Sequence, residues 1–209
     1  LDVAGTISGS IVTASNSNQL NGIKIMHAPG TGNFFAGEGA GAAYTSSQYN
    51  VAFGPSALGS ATSGGTNNAF GYGALYSNTI GYHNVAMGHL ALYGNTTGAY
   101  NTALGEGALQ SNTTGGSNIA IGAESLISNI NTSANIAIGM RSLYSTTTAS
   151  NIAIGYYSLF GNSTGAENTA LGHQAGYTAT PANANTTGTQ NTYLGANSGP
   201  GTTSQLSNT

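Results

Sequence analysis

The sequence contains no cysteine and no tryptophan, and it has very few charged residues. Without cysteine there can be no disulfide framework and no thiolate metal site. The chain has two basic and five acidic residues, so it cannot form the basic patch that binding to nucleic acid or to an anionic membrane requires. The chain also lacks a long apolar run, and its start, LDVAGTISGS, lacks the pattern of a signal peptide. It begins at Leu1, so we expect a piece of a longer or processed protein.

The chain is instead rich in glycine, asparagine, threonine, serine and alanine. Thirty-three glycines alone would suit a disordered linker, but the hydrophobic residues, 39% of the chain, recur at regular spacing. The period comes from a unit that starts with asparagine and has glycine four residues later. Ten such asparagines run from Asn33 to Asn191; seven of their nine intervals are 17 residues, one is 16 and the last is 23. This regularity is the signature of a stacked repeat array.

The consensus unit is N-x-A-φ-G-x-x-A/S-L-x-S-N-T-T-G-x-x, whose positions we number from one to seventeen. The end units depart from it, because Phe35 and Tyr193 replace alanine at position three and Gly41, Gly176 and Gly199 replace leucine at position nine. Atypical ends are expected of an array, since a terminal turn has a neighbour on one side only.

Glycine, asparagine and threonine recur too often in the unit for a helix. We predict two short strands per unit, at positions one to five and eight to twelve, each followed by a turn. The NTTG run would make the second turn. The invariant glycine of position five would make the first: Gly54, Gly71, Gly88, Gly105, Gly122, Gly139, Gly155 and Gly172. The predicted fold is all-β, a parallel β-roll (solenoid) of about ten 17-residue coils.

Stacked coils place identical side chains above one another, and stacked asparagine amides can hydrogen-bond along the stack. We therefore predict a structural ladder of position-one asparagines: Asn50, Asn67, Asn84, Asn101, Asn118, Asn135, Asn151 and Asn168.

Alternation along a strand separates positions two and four from positions one and three. We expect positions two and four to face into the coil, towards the leucine of position nine. Position three would then face outward, where invariant small residues indicate contact with another chain: Ala86, Ala103, Ala120, Ala137 and Ala153. The mirror assignment, with alanine inside and position four at the interface, also requires a partner, because it leaves an apolar stripe exposed.

The segments NIAIGAES, NIAIGMRS and NIAIGYYS resemble the S-V-A-I-G-x-x-S signature of trimeric autotransporter adhesin heads. NTALGEGALQSNTTGGSN is similar to the N-T-A-x-G-x-x-A-L-x-x-N-T-T-G repeats of bacteriophage tail fibres. The resemblance covers roughly Asn33 to Gly199, and it implies a left-handed, homotrimeric parallel β-roll that is extracellular, in a virion tail fibre or on a bacterial surface. It also implies host attachment through a cell-surface receptor or glycan.

No constellation for catalysis stands out, so we predict a protein that is not an enzyme and has no cofactor. The four histidines lack metal-ligand spacing, and the single aspartate excludes a carboxylate calcium site. Serine is abundant, but a nucleophile needs a base held by a third group. The regular array offers none.

Positions six and ten vary between units and form vertical rows in a solenoid. These rows contain the candidate surface recognition residues Tyr72, Tyr76, His89, Tyr93, Glu106, Tyr144, Tyr156 and His173. They either stack between coils or bind a glycan on tyrosine faces. We expect His89 beside Glu106, and Glu124 paired with Arg141, from their places in adjacent coils. The longer last interval, with TATPANANTTGTQ, is either an idle surface loop or a binding loop.

The sequence thus suggests three parts: an N-terminal β-rich segment (1–32) joining an upstream shaft, the β-roll (33–199) and a C-terminal tail or the start of a missing segment (200–209). The favoured function is a structural fibre segment for attachment, most like a phage tail fibre. The alternatives are a bacterial surface adhesin or self-assembling filament, and a solenoid that binds ice or polysaccharide.

Overall fold

The computed structural model describes residues 17–20, 23–27, 31–46, 48–178 and 188–199. The strands form a single sheet in which their order follows the sequence. The first two are β1 (Ser17–Leu20) and β2 (Ile23–His27). Ten three-residue strands follow: β3 (Phe34–Ala36), β4 (Val51–Phe53), β5 (Asn68–Phe70), β6 (Val85–Met87), β7 (Thr102–Leu104), β8 (Ile119–Ile121), β9 (Ile136–Ile138), β10 (Ile152–Ile154), β11 (Thr169–Leu171) and β12 (Thr192–Leu194).

Strands β3 to β12 are parallel, and they pair so that equivalent repeat positions lie side by side. Ile119, for example, is paired with Ile136, and Ile136 with Ile152. The result is a β-solenoid of about eight turns, which confirms the predicted all-β fold class and its repeat. The in-register pairing explains why the repeat is so regular, because each residue packs against the equivalent residue of the turns above and below.

The second predicted strand, at positions eight to twelve, is not present, and this part of the prediction was wrong. Positions six to eleven instead form consecutive tight turns. The N–H of Ala57 bonds to the carbonyl of Gly54, and the N–H of Gly59 to that of Ser56. Ser56 and Leu58 have φ of 59° and 52°, a left-handed conformation that an extended strand cannot contain.

The turns are nevertheless hydrogen-bonded from one coil to the next. The N–H of Leu58 donates to the carbonyl of Ala74 at 3.0 Å, and that of Ser60 to the carbonyl of Tyr76 at 2.9 Å. Backbone pairing between coils therefore continues around the solenoid, beyond the three residues of each strand. This satisfies polar backbone groups that a stack of isolated loops would leave unpaired.

The predicted direction of the alanines was also wrong. Their side chains are fully buried inside the coil, in one hydrophobic cluster with the leucines of position nine. This applies to all five residues assigned to chain–chain contacts: Ala86, Ala103, Ala120, Ala137 and Ala153. Alanine therefore lies inside the coil, as in the mirror assignment, and position four faces outward. Alanine is required because the turn segment of the same chain packs against the strand, and the position-nine leucine leaves room for little more than a methyl group.

The atypical end units keep the same core volume with different residues. Phe35 is fully buried at position three, and a Cβ placed on Gly41 would lie 2.3 Å from its ring. Tyr193 stands in the same relation to Gly199, again at 2.3 Å. A large ring at position three thus occupies the space that leucine fills in the middle units, so position nine of the two end units is glycine. In the unit before the last, which has alanine at position three, a Cβ on Gly176 would lie 3.0 Å from the ring of Tyr193 in the next turn.

Strands β1 and β2 form an antiparallel hairpin, and β2 pairs antiparallel with β3. They belong to the segment 1–32, which the sequence suggested to be β-rich. The hairpin therefore lies along the edge of the first turn of the solenoid. The predicted tail 200–209, and residues 179–187 of the longer last interval, lie outside the described residues.

Candidate functional site

The position-one asparagines form a continuous buried ladder through the predicted residues. Asn118 shows the pattern: its backbone N–H donates to Oδ1 of Asn101 at 3.0 Å, and its Nδ2 donates to the same atom at 3.1 Å. Its Nδ2 also donates to the carbonyl of Thr132 at 2.8 Å, while its Oδ1 accepts from the N–H of Asn135 at 3.0 Å. Each amide therefore joins three successive turns.

A second ladder, which the sequence analysis missed, lies at position twelve. Asn78, Asn95, Asn112 and Asn129 are fully buried. Nδ2 of Asn95 donates to Oδ1 of Asn78, and Nδ2 of Asn112 to Oδ1 of Asn95, both at 2.8 Å. We interpreted these residues only as turn formers. Their recurrence every 17 residues is the same signal that revealed the first ladder.

The position-five glycines turn the corner after each strand, and all eight predicted ones have positive φ. Gly122, with φ of 126°, is typical. A Cβ on it would lie 2.6 Å from the carbonyl carbon of Gly139 in the next turn. No side chain fits there, because the corners of successive turns are in backbone contact.

The outer surface of the ten parallel strands is the main unpartnered surface of the solenoid. We call it the strand face; it consists of the side chains at positions two and four of β3 to β12. No charged residue occurs in it, and position four carries a large apolar side chain in every strand except β3, where it is Ala36. Phe53 is 58% exposed, and Met87 and Leu171 are each 46% exposed. Position two is polar in β5, β7, β11 and β12, so the surface is mainly but not wholly apolar. Exposed apolar surface of this kind makes the strand face a candidate interaction surface.

The candidate recognition residues form the expected vertical rows, but their rings stack on one another. Tyr76 and Tyr93 have centroids 5.2 Å apart and planes inclined by 8°. Tyr156 and His173 are stacked at 5.3 Å and 9°. Rings stacked along the solenoid cover part of each other's faces and present their edges to solvent. The arrangement favours stacking between coils over a platform of tyrosine faces for sugars.

The two predicted pairs between adjacent turns are both present. Nδ1 of His89 lies 3.9 Å from Oε1 of Glu106, and both side chains are exposed. His89 is also stacked on Tyr72, with ring centroids 5.5 Å apart. An exposed pair at this distance contributes little to stability, because water screens the attraction.

Arg141 is the centre of a more compact group. Its Nε donates to Oε2 of Glu124 at 2.5 Å, and its Nη1 donates to the hydroxyl of Tyr157 at 2.6 Å. Its guanidinium also lies over the Tyr144 ring, which stacks on Phe160 at 5.0 Å. The hydrogen bonds to Glu124 and Tyr157 raise the pKa of Arg141 above its ordinary value. Partial desolvation, together with the adjacent Tyr157, raises the pKa of Tyr156.

Within the described ranges, no three histidine, aspartate or glutamate side chains are grouped to hold a metal ion. The same part of the chain contains no helix long and apolar enough to cross a membrane. The ladders, corners and strand face together define a β-solenoid repeat protein. Comparison of the chain with protein-family models, with curated proteins and with solved structures found no match.

Proposed function

We propose that the chain is a structural segment of an extracellular attachment fibre, most like a phage tail fibre, and that it has no catalytic role. In this proposal three copies associate side by side as a homotrimer of left-handed solenoids. The strand faces point towards the common axis. The observation that supports this most directly is the strand face, which runs along all ten parallel strands without a charged residue.

The size of the strand face favours three chains over two. Ten strands at a spacing of about 4.8 Å, each about 10 Å wide, give a face of about 480 Å². A stable interface typically buries about 800 Å² on each partner. A flat pair would fall short of this. Three chains around an axis would also cover the residues at the two edges of the face, among them exposed Tyr49, Tyr72 and Tyr100.

The remaining features suit a stiff element of a fibre. The two asparagine ladders and the backbone bonds around each turn make a rod that is held together along its length. Such a rod bends only if several ladders deform together. A bacterial surface adhesin, or a filament of the same fold, would use the same assembly. Attachment to a receptor or glycan is part of the proposal, through residues that vary between turns.

Ice or polysaccharide binding is less favoured. The regular threonine row lies in the turns, where Oγ1 of Thr79 donates to the carbonyl of Thr96 at 3.0 Å and Oγ1 of Thr96 to that of Thr113 at 3.0 Å. Those hydroxyls are already bonded within the solenoid. The flat surface of the protein, the strand face, carries mostly isoleucine, leucine, valine and phenylalanine in their place.

Light scattering with size-exclusion chromatography tests the assembly. The wild-type chain should have three times the monomer mass, and the double variant Ile121→Lys, Ile138→Lys should be monomeric with unchanged β-sheet circular dichroism. Lysine on the strand face would bury charge without a partner. The matched control is Ser111→Lys, Thr114→Lys, which changes exposed residues on the turns and should stay trimeric. A monomeric wild type would contradict the trimer; a trimeric isoleucine variant would contradict the strand face as its interface.

A further inference from the structure

Two rows of exposed residues border the strand face, one at each end of the strands. The leading edge, as we call it, consists of the residue immediately before each position-one asparagine; in front of β4 to β12 these residues are all exposed and all have positive φ. The trailing edge consists of the position-six residues, which follow the corner glycines; after β4 to β12 they are all exposed except Ala123, which is half-buried. Each of these strands therefore lies between one leading-edge and one trailing-edge residue at its own level of the stack.

The sizes of the two residues at a level are complementary in the middle of the solenoid. At β8 both residues are small, Ser117 and Ala123. Three other levels combine a large trailing-edge residue with a small leading-edge one: Tyr72 with Thr66 at β5, Met140 with Ala134 at β9, and Tyr156 with Ser150 at β10. The three large side chains are all exposed. No level from β5 to β10 combines two large apolar residues, so the shapes of the rows suit close approach of one edge to the other.

The polar groups at two further levels are complementary as well. At β7 the leading edge has Tyr100, which is 57% exposed, and the trailing edge has Glu106, whose carboxylate lies 3.9 Å from His89. A tyrosine hydroxyl donates and a carboxylate accepts, so this level combines a donor with an acceptor. At β6 the two edges carry His83 and His89. Two neutral imidazoles can also bond to each other, because each has one N–H donor and one acceptor nitrogen.

One chain cannot bring its own two edges together. The two residues at a level are separated by an extended strand and lie roughly 15–20 Å apart. The partner of a leading edge is therefore the trailing edge of another copy. In a cyclic assembly every copy lies at the same height, and one surface of each copy meets a different surface of the next. When the strand faces point towards a common axis, the leading ends of the strands in one copy lie beside the trailing ends in the next, at equal levels.

We propose that the leading edge of each copy packs against the trailing edge of the next copy, level by level, around the axis. This inference rests on the proposed homotrimer and specifies its second contact surface. Tyr100 then donates to Glu106 of the next copy, and Ser117 lies beside Ala123 of the next copy. The edge contacts add buried area to the strand face, which alone is smaller than a stable interface requires.

Cysteine cross-linking tests the contact in the whole chain, which has no cysteine of its own. In the double variant Ser117→Cys, Ala123→Cys the two thiols of one chain cannot bond to each other, because a disulfide requires Cα atoms within about 7 Å. Mild oxidation should therefore join neighbouring copies. A denaturing gel without reductant should show most chains as covalent trimers, which a reductant returns to monomers. Two controls should stay mostly unlinked: Ser117→Cys alone, and Thr66→Cys, Ala123→Cys, whose thiols are three levels apart, about 14 Å along the axis.

Light scattering of the reduced proteins measures the assembly separately. A trimer that Ser117→Cys, Ala123→Cys does not cross-link, or that cross-links equally in Thr66→Cys, Ala123→Cys, would overturn the edge contact and leave the proposed trimer standing. Covalent products no larger than dimers after complete oxidation would overturn the contact as a junction of three chains. If the double variant itself fails to assemble, Ala134→Cys, Met140→Cys decides at β9. A monomeric wild type would overturn the trimer and the edge contact together.

Discussion

A single asparagine side chain carries both a donor and an acceptor, and the ladder uses both. Nδ2 has two hydrogens and Oδ1 two lone pairs, so one residue can bond to the turn before it and the turn after it. Aspartate has no donor when ionised, and serine is too short to span the gap between turns while closing its own loop. The residue type at position one therefore follows from the need to satisfy buried polar atoms on both sides.

The ladder predicts different consequences for the same substitution at two places. Asn118→Ala would leave the N–H of Asn135 without its buried acceptor, and it would remove one of the two donors to the carbonyl of Thr132, the other being Nδ2 of Asn129. We expect a loss of about 2–4 kcal/mol in the free energy of unfolding. Asn191→Ala should lose about 1 kcal/mol, because among the described residues its Oδ1 has no partner to lose and only the bond from its Nδ2 to Oδ1 of the preceding ladder asparagine is removed. Urea denaturation followed by circular dichroism measures both; equal losses would contradict the ladder as a source of stability.

At the scale of one repeat unit, the residues at positions three and nine share a fixed interior volume. The middle units combine alanine with leucine, whereas the first combines Phe35 with Gly41. The backbone at position nine is left-handed in both cases, since Gly41 has φ of 58° and Leu58 has φ of 52°. Leucine in this left-handed conformation is strained, so its burial in the core must compensate.

This relation predicts strong coupling between two positions of the first turn. Phe35→Ala alone leaves a cavity and should destabilise by about 3–5 kcal/mol. Gly41→Leu alone places a side chain against the Phe35 ring and should also destabilise, by about 1–3 kcal/mol. The double variant recreates the middle unit and should regain most of the loss. Thermal unfolding of the four proteins in a double-mutant cycle measures the coupling, and additive losses would disprove shared volume.

The sequence was sufficient for the period, the parallel all-β solenoid, the corner glycines and the position-one ladder, because each depends on what recurs every turn. It also placed Glu124 beside Arg141, since equal positions in adjacent turns must meet. It did not decide which face of the strand is inside. Alternation places Ala120 and Ile121 on opposite faces of the strand, but it does not say which face is buried. The recurrent alanine indicated that another backbone approaches closely, but not that this backbone belongs to the same chain.

The turn segment was mispredicted for a different reason. Leucine seldom adopts positive φ, so a run containing it was interpreted as a strand. The contrary signal was present at position seven, where Gly39, Gly73 and Gly107 alternate with larger residues. Glycine recurring at a turn position indicates left-handed backbone even in copies that carry another residue. The aromatic rows were located correctly, but their stacking geometry depends on side-chain torsions that the sequence does not determine.

At the scale of the whole molecule, the solenoid is a stack in which each turn contacts only the turns beside it. Stability in such an array is approximately a sum of terms for each turn and each junction. Within the described strands, pairing in the sheet joins only adjacent turns, since every strand from β3 onward pairs with its sequence neighbours. The number of turns can therefore change without altering the fold of the remaining turns.

Removal of one complete unit should shorten the protein without unfolding it. Deletion of residues 101–117 joins Tyr100 to Asn118 and restores the period, so we expect a folded rod about 4.8 Å shorter. Small-angle scattering measures the length and circular dichroism the fold. Deletion of residues 109–116 removes about half a unit and places asparagine opposite leucine, so it should abolish cooperative folding. A folded half-unit deletion would show that register does not matter.

The buried ladders also determine which covalent chemistry the folded chain can accept. Asn95, Asn112 and Asn162 begin Asn-x-Thr triplets, which are acceptor motifs for N-linked sugar and are ordinarily expected in exposed loops. All three side chains are fully buried, and each Nδ2, the atom that would carry the sugar, donates hydrogen bonds inside the solenoid. Glycosylation at these residues and closure of their turns therefore exclude each other. A chain that meets a glycosyltransferase before it folds would lose the second ladder.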